Sequence, residues 1–217
     1  MSAGRRSEVE VLGWALFGAA LTTYAAARLA GADTLRWVLK PLPVLALALV
    51  VSQRRGRARE SVIVGLLLGA AGDALLEPRL SSLFLPGLAA FLLGHVAYVV
   101  GFTREVPGLA PVRALPSVLI VGVVLALVLP ALKEPPLPIV LYALTIGAFA
   151  WRAAARVGVV PPVHGWLGLA GALLFVASDT LLAVNRFVAP FDFAVPAILV
   201  TYWSAQALVA GAVAREP

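Results

Sequence analysis

The sequence predicts an all-α membrane protein, a single polytopic bundle of about eight transmembrane helices, and three observations carry that prediction. Apolar residues make up 61% of the 217 residues and charged residues only 13%, against roughly 25% charged in a soluble domain. The mean hydropathy is +0.97. The apolar residues fall into runs bounded by Arg, Pro and Gly, and each run approaches the roughly 20 residues that a bilayer core about 30 Å thick requires of a helix. Eight such helices with short connections use up the chain, so residues 1–217 are expected to form one transmembrane domain with no sizeable soluble part.

The first helix, about 11–29, follows Arg5 and Arg6; Gly18-Ala19-Ala20 lies inside a run that continues to Ala27, which reads as a retained helix rather than a cleaved signal. The second, about 35–51, carries Lys40 near its start and stops at the basic block Arg54 to Arg59. The third, about 61–77, repeats Gly65, Gly69, Asp73 and Glu77 at every fourth position, and the fourth, about 83–102, carries Gly87, Phe91, Gly94, His95, Tyr98 and Phe102 along one stripe. The fifth and sixth, about 113–131 and 136–152, meet at Pro130, Pro135, Pro136 and Pro138; merging them gives seven helices instead of eight. The seventh, about 163–183, carries Gly168, Gly171, Ala172, Phe175 and Asp179, and the eighth, about 194–213, carries Tyr202 and Gln206 one turn apart.

Charge distribution sets the expected topology. Eleven of the seventeen Lys and Arg residues fall on the N-terminal side of the membrane, which places both termini in the cytoplasm. Short loops, a preference for Arg over Lys and the lack of a targeting extension suggest a prokaryotic plasma membrane. Lys40, Asp73, Glu77, Asp179, Asn185 and Arg186 then share one face of an alternating bundle. The basic residues are not interleaved with base-stacking aromatics, so no nucleic-acid partner is expected. Cysteine is absent, which excludes disulfides and a thiolate nucleophile.

Asp73 and Asp179 stand in similar phrases, Gly72-Asp73-Ala74-Leu75-Leu76 and Ser178-Asp179-Thr180-Leu181-Leu182, and Tyr98 and Tyr202 follow them by 25 and 23 residues. A four-plus-four duplication produces such spacing, and so does coincidence. A charged side chain at membrane depth costs at least about 2.5–3.5 kcal/mol, so it persists where it faces a polar cavity or a partner. A short acid cannot snorkel far, whereas Lys40 can reach the interface. Both aspartates are expected about four residues from their helix ends, roughly 6 Å deep, and His95 and Gln206 about twelve residues in, roughly 18 Å deep. Tyr98, Tyr142 and Tyr202 also fit simple hydrogen bonding between helices, and His95 fits a core histidine. The chain lacks the G-x-S-x-G, H-E-x-x-H and glycine-loop signatures of soluble hydrolases, metalloproteases and phosphate binders. Asp73, Asp179 and His95 are metal-ligand types, but with only two histidines no metal is assigned.

The chain resembles the YhhN family of membrane proteins, which includes the lysoplasmalogenases. The resemblance rests on Lys40-Pro41-Leu42-Pro43, on the Asp73 phrase, on Phe91-Leu92-Leu93-Gly94-His95-Val96-Ala97-Tyr98, on Phe175 through Phe187 and on Tyr202-Trp203-Ser204-Ala205-Gln206. It implies an eight-helix enzyme without a cofactor that hydrolyses the vinyl ether of a lysoplasmalogen, or a related lysolipid, to a fatty aldehyde and a glycerophospho-alcohol. Its partners are then a lysophospholipid and the bilayer, with the oligomeric state open. Vinyl-ether hydrolysis begins with protonation of the β-carbon and passes through an oxocarbenium ion, so it needs an acid and an anion; glycosidases meet a related demand with two carboxylates. Asp73 and Asp179 are the expected pair. Lys40 or Arg186 would hold the phosphate, with His95, Tyr98, Asn185, Tyr202 and Gln206 in support. The competing expectation is a small-molecule or proton-coupled transporter using the same acids.

Overall fold

The computed structural model describes residues 3–76, 81–133 and 135–214. Among them are nine α-helices and no strand: α1 (Ala3–Leu29), α2 (Asp33–Leu39), α3 (Leu42–Ser52), α4 (Arg59–Leu75), α5 (Phe84–Glu105), α6 (Leu115–Val128), α7 (Leu137–Arg156), α8 (Pro162–Ala183) and α9 (Ala194–Gly211). Seven spans among the described residues are long and apolar enough to cross a bilayer, with α2 and α3 together forming one of them. The 17 residues of α4 make an eighth hydrophobic helix, about 25 Å long at 1.5 Å per residue. Apolar side chains line the outside as well as the core: Val118, Leu119 and Val123 of α6 are more than half exposed. Exposed apolar surface of this extent needs lipid around it. The chain is an integral membrane protein.

It divides into two compact units, Met1–Gly101 with Val213–Pro217, and Phe102–Ala212. In the first unit, α1 ends in a left-handed turn at Gly31 (φ +65°), where the Ala32 N–H reaches the Ala27 carbonyl at 2.9 Å and satisfies an otherwise orphaned acceptor. The expected second helix is broken at Lys40-Pro41. Pro41 and Pro43 offer no N–H to the ladder, so α2 stops at Leu39 and α3 starts afresh. This break sets Lys40 at a corner.

Helices α4 and α5 approach closely through glycine. A Cβ on Gly65 would fall inside the Tyr98 ring, and one on Gly94 would lie 3.1 Å from the Gly65 carbonyl. That close approach is the one expected from the small-residue stripe. At the other end of the unit, Arg54 is buried and donates to the Val213 carbonyl at 2.8 Å and to Glu10 at 2.9 Å. Helix α1 begins at Ala3, eight residues before the expected start, and this contact holds its Glu10 inside the unit.

In the second unit, Leu132 adopts an extended conformation and separates α6 from α7, so the proline-rich junction does not fuse them. An aromatic ladder runs from Phe102 to Phe149, Phe175 and Tyr202, with ring centroids 5.5, 6.1 and 5.8 Å apart. Helices α8 and α9 meet at Gly171, whose added Cβ would stand 2.9 Å from Val209 and 3.1 Å from the Ala205 carbonyl. The unit is tied at one end by arginines. Arg152 donates to the carbonyls of Val106 and Gly108, and Arg156 to Glu105 at 2.7 Å and to the Ala212 carbonyl at 2.8 Å. Arg156 also lies 3.9 Å over the Phe102 ring. Helix α7 therefore runs to Arg156 rather than ending at 152, because these guanidinium groups are held inside the fold instead of breaking into a loop.

Candidate functional site

Asp73 lies in the last turn of α4, two residues from its end at Leu75. That places it about 3 Å from the helix terminus instead of the expected 6 Å; Glu77 and Arg79 lie outside the described residues. Asp73 is almost fully buried, with 1% exposure. Lys40, set at the α2–α3 corner by the two prolines, brings its Nζ to 3.8 Å from Asp73 Oδ1 and 3.4 Å from the Leu76 carbonyl. Its charge thus meets both a carboxylate and the negative end of the α4 dipole. The Trp37 indole N–H donates to the Ala74 carbonyl at 2.9 Å and fastens α2 to the same helix end. Tyr24 of α1 is buried within electrostatic reach of Arg28, Arg36 and Asp73.

Deeper in this unit, His95 and Tyr98 are buried on α5, with their rings edge to face and centroids 6.1 Å apart. Tyr98 packs on the Gly65 backbone, so the tyrosine has a structural part in the α4–α5 contact whatever else it does.

In the second unit, Asp179 of α8 receives a hydrogen bond of 2.7 Å from the Tyr142 hydroxyl of α7 to its Oδ2. Among the described residues it forms no ion pair. The neighbouring Ser178 hydroxyl donates to the Ile198 carbonyl at 3.2 Å and ties α8 to α9. Beyond Asp179 the helix loosens into a π-turn, Val184–Val188. Asn185 sits in that turn, and its side-chain oxygen accepts the Phe191 N–H at 3.2 Å, closing the loop that leads to α9. Arg186 is exposed and lies 5.5 Å over the Phe187 ring. Tyr202 and Gln206 are buried on α9, and the Gln206 amide donates to the Tyr202 hydroxyl at 3.2 Å.

The structure thus brings Lys40 to Asp73, His95 to Tyr98 and Gln206 to Tyr202, and it gives Asn185 a loop to hold. Two polar partners escaped the sequence reading. The sequence marks Tyr142 only as a residue able to hydrogen-bond between helices, and it gives no polar partner for Trp37. Neither position stands out in the sequence, since the contact of each is with a residue 37 positions away. Among the described residues, no three His, Cys, Asp or Glu side chains come together in a way that could hold a metal ion.

Sequence comparison places this arrangement. Residues 35–213 match the model of the YhhN family. The chain is 38% identical to lysoplasmalogenase TMEM86B of Homo sapiens over 194 residues, 85% of this chain and 79% of the relative. It is 33% identical to lysoplasmalogenase TMEM86A of Bos taurus, over 72% of this chain and 67% of that one. It is 29% identical to a lysoplasmalogenase of Mycobacterium bovis, over 92% of this chain and 80% of the relative. No solved structure matches the chain. With its family match running from within α2 to just past the end of α9, and so including Lys40, Asp73, Asp179 and Gln206, the chain belongs to the YhhN family.

Proposed function

We propose that the protein is a membrane-embedded hydrolase that cleaves the vinyl-ether bond of lysoplasmalogens, with Asp179 as the proton donor and Asp73 as the anion that faces the developing cation. The relatives' names support the reaction class. The observation that carries the assignment of roles is the unlike company of the two acids. Asp73 has an ammonium beside it, the partner of an ionised carboxylate. Asp179 is half-buried against a neutral phenol with no cation paired to it among the described residues, the setting we assign to the proton donor.

The Tyr142 bond occupies Oδ2 and leaves Oδ1 of Asp179 to carry the proton. In the first step that proton passes to the β-carbon of the vinyl ether, the carbon–carbon double bond supplies the electron pair, and the former α-carbon becomes an oxocarbenium carbon. The Asp73 carboxylate stabilises that charge. Water then adds to the α-carbon while the Asp179 carboxylate takes up a water proton, which restores the acid. The resulting hemiacetal breaks its bond to the glycerol oxygen, and proton transfer from the hemiacetal hydroxyl to that oxygen gives a fatty aldehyde and a glycerophospho-alcohol. No oxidant, reductant or cofactor enters this balance. Lys40 holds Asp73 in place; His95, Tyr98, Tyr202 and Gln206 supply the polar network in the two units. The basic asymmetry of the sequence supports cytoplasmic termini.

The test is turnover. Purified protein in detergent is incubated with a defined lysoplasmalogen, and fatty aldehyde is measured by mass spectrometry alongside Asp73→Asn and Asp179→Asn. Aldehyde from wild type and from neither variant is the expected result. Full activity in both folded variants sinks the carboxylate mechanism. Flux of a solute across liposomes without lipid consumption would point to a transporter instead.

A further inference from the structure

We propose that Arg36, with Arg28 nearby, forms a phosphate subsite in the first unit that takes the phosphodiester of a lysolipid headgroup. The substrate class rests on the function proposed above. Sequence reasoning assigned phosphate only to Lys40 or Arg186, but the structure uses Lys40 elsewhere: its ammonium is shared between Asp73 and the Leu76 carbonyl.

Arg36 differs in having a donor to spare. Its Nη2 pairs with Asp33 Oδ1, whereas its Nε–H is buried and has no hydrogen-bond partner among the described residues. Nε and Nη2 form one edge of the guanidinium, the edge that grips two oxygens of a phosphate at once. Asp33 fills half of that edge. A phosphate can fill all of it, and a buried N–H without an acceptor favours the ligand that supplies one.

The surroundings agree in charge. Arg28, Arg36 and Asp73 all act electrostatically on Tyr24. Among the described residues, Arg28, Arg36 and Lys40 therefore share a neighbourhood with Asp33 and Asp73, three cations to two anions. The Arg36 and Asp33 side chains remain 29% and 47% exposed, so the ion pair itself lies near the surface of the unit, with Nε on its inner side. Arg36 is also one turn from Lys40, and Lys40 contacts the acid that the proposed reaction uses. A headgroup phosphate at Arg36 leaves the glycerol and its vinyl ether to extend towards Asp73.

Two substrates and two variants test this. Turnover is measured for a lysoplasmalogen carrying phosphoethanolamine and for the same alkenyl glycerol without phosphate. Wild type is expected to prefer the phosphorylated lipid through a lower KM. Arg36→Gln reduces that preference about tenfold, Arg36→Lys recovers little of it because an ammonium lacks the two-donor edge, and Asp33→Asn increases it by releasing Nη2. A preference unchanged in Arg36→Gln overturns the proposal, as does a shift in the same direction in Arg36→Gln and Asp33→Asn, which a merely structural ion pair would give.

A binding arm separates this from failure of the enzymatic reading. The saturated probes hexadecylglycerol phosphoethanolamine and hexadecylglycerol cannot be cleaved as vinyl ethers, and their equilibrium competition reports phosphate recognition even if no aldehyde is ever formed. Inorganic phosphate serves as a third probe. Tighter binding of the phosphorylated ether in wild type and loss of that advantage in Arg36→Gln is expected. Binding of inorganic phosphate alone, with no preference between the two ethers, identifies a free-anion site and overturns the headgroup assignment.

Discussion

Asp73 and Asp179 stand in similar sequence phrases, yet their settings differ in kind. Asp73 is 1% exposed in the last turn of α4 and faces the Lys40 ammonium. Asp179 is only half-buried and stands four residues before the end of α8, facing the Tyr142 hydroxyl. A carboxylate beside a cation and a carboxyl beside a neutral hydroxyl meet different electrostatic surroundings. Similar phrases in sequence therefore do not mean equal surroundings. The partners, one from the α2–α3 corner and one from α7, are what distinguish the two settings.

The comparison breaks most visibly at Asp179. If it supplies the proton, Asp179→Asn removes the acid outright and should lower kcat by about a hundredfold to ten-thousandfold, the usual worth of a positioned acid. Asp73→Asn leaves the acid in place and removes only cation stabilisation, so its kcat loss is expected at about a hundredfold to thousandfold. Rates for both variants with one lysoplasmalogen decide the order, and an Asp73→Asn defect far larger than that of Asp179→Asn would reverse the roles. Lys40→Gln comes next. It takes the charge from beside Asp73 and from the end of α4, and loss of a charge-assisted contact worth about 1.5–3 kcal/mol corresponds to a fall of about tenfold to hundredfold in kcat/KM. Lys40→Arg should recover part of that loss. An unchanged rate in Lys40→Gln would leave Asp73 without the electrostatic role that its position suggests.

Much of the fold was legible because hydropathy and proline act locally. The eight apolar runs map onto the helices, and the glycines that were read as a close-packing stripe do face a neighbour, Gly65 against Tyr98 and Gly171 against Val209. What could not be read was where long polar side chains turn. Arg54, Arg152 and Arg156 counted towards the charge that orients the helices, but they are buried, and they bond backbone carbonyls or acids inside the fold. Without those three, the arginine and lysine split narrows from eleven against six to eight against six. The same physics explains the helix ends that ran past expectation at Ala3 and Arg156: a charge that finds a partner does not end a helix. Asn185, counted among the supporting residues from its motif, spends its amide oxygen on the Phe191 N–H. The two aspartates themselves were the clearest signal, since an acid in an apolar run has few innocent explanations. Their partners Lys40 and Tyr142 had different visibility. Lys40 is marked by the prolines that follow it, while Tyr142 lies in an apolar helix start with nothing beside it to signal its role.

Tyr142→Phe sharpens the comparison with the smallest change. It removes one hydroxyl and leaves the ring packed between α7 and α8, so the fold should survive; a single neutral hydrogen bond is worth about 0.5–1.5 kcal/mol, or roughly a twofold to tenfold loss in kcat. The physical consequence is positional. With the hydroxyl present, Oδ2 of Asp179 is occupied and the proton is confined to Oδ1; with it gone, either oxygen can carry the proton and the carboxyl can rotate. The defect should therefore appear in kcat with KM nearly constant, and it should vanish in an Asp179→Asn background, where there is no transferable proton left to orient. If the two substitutions instead multiply, Tyr142 acts on the substrate independently of Asp179, and the hydroxyl rather than the carboxyl becomes the candidate donor.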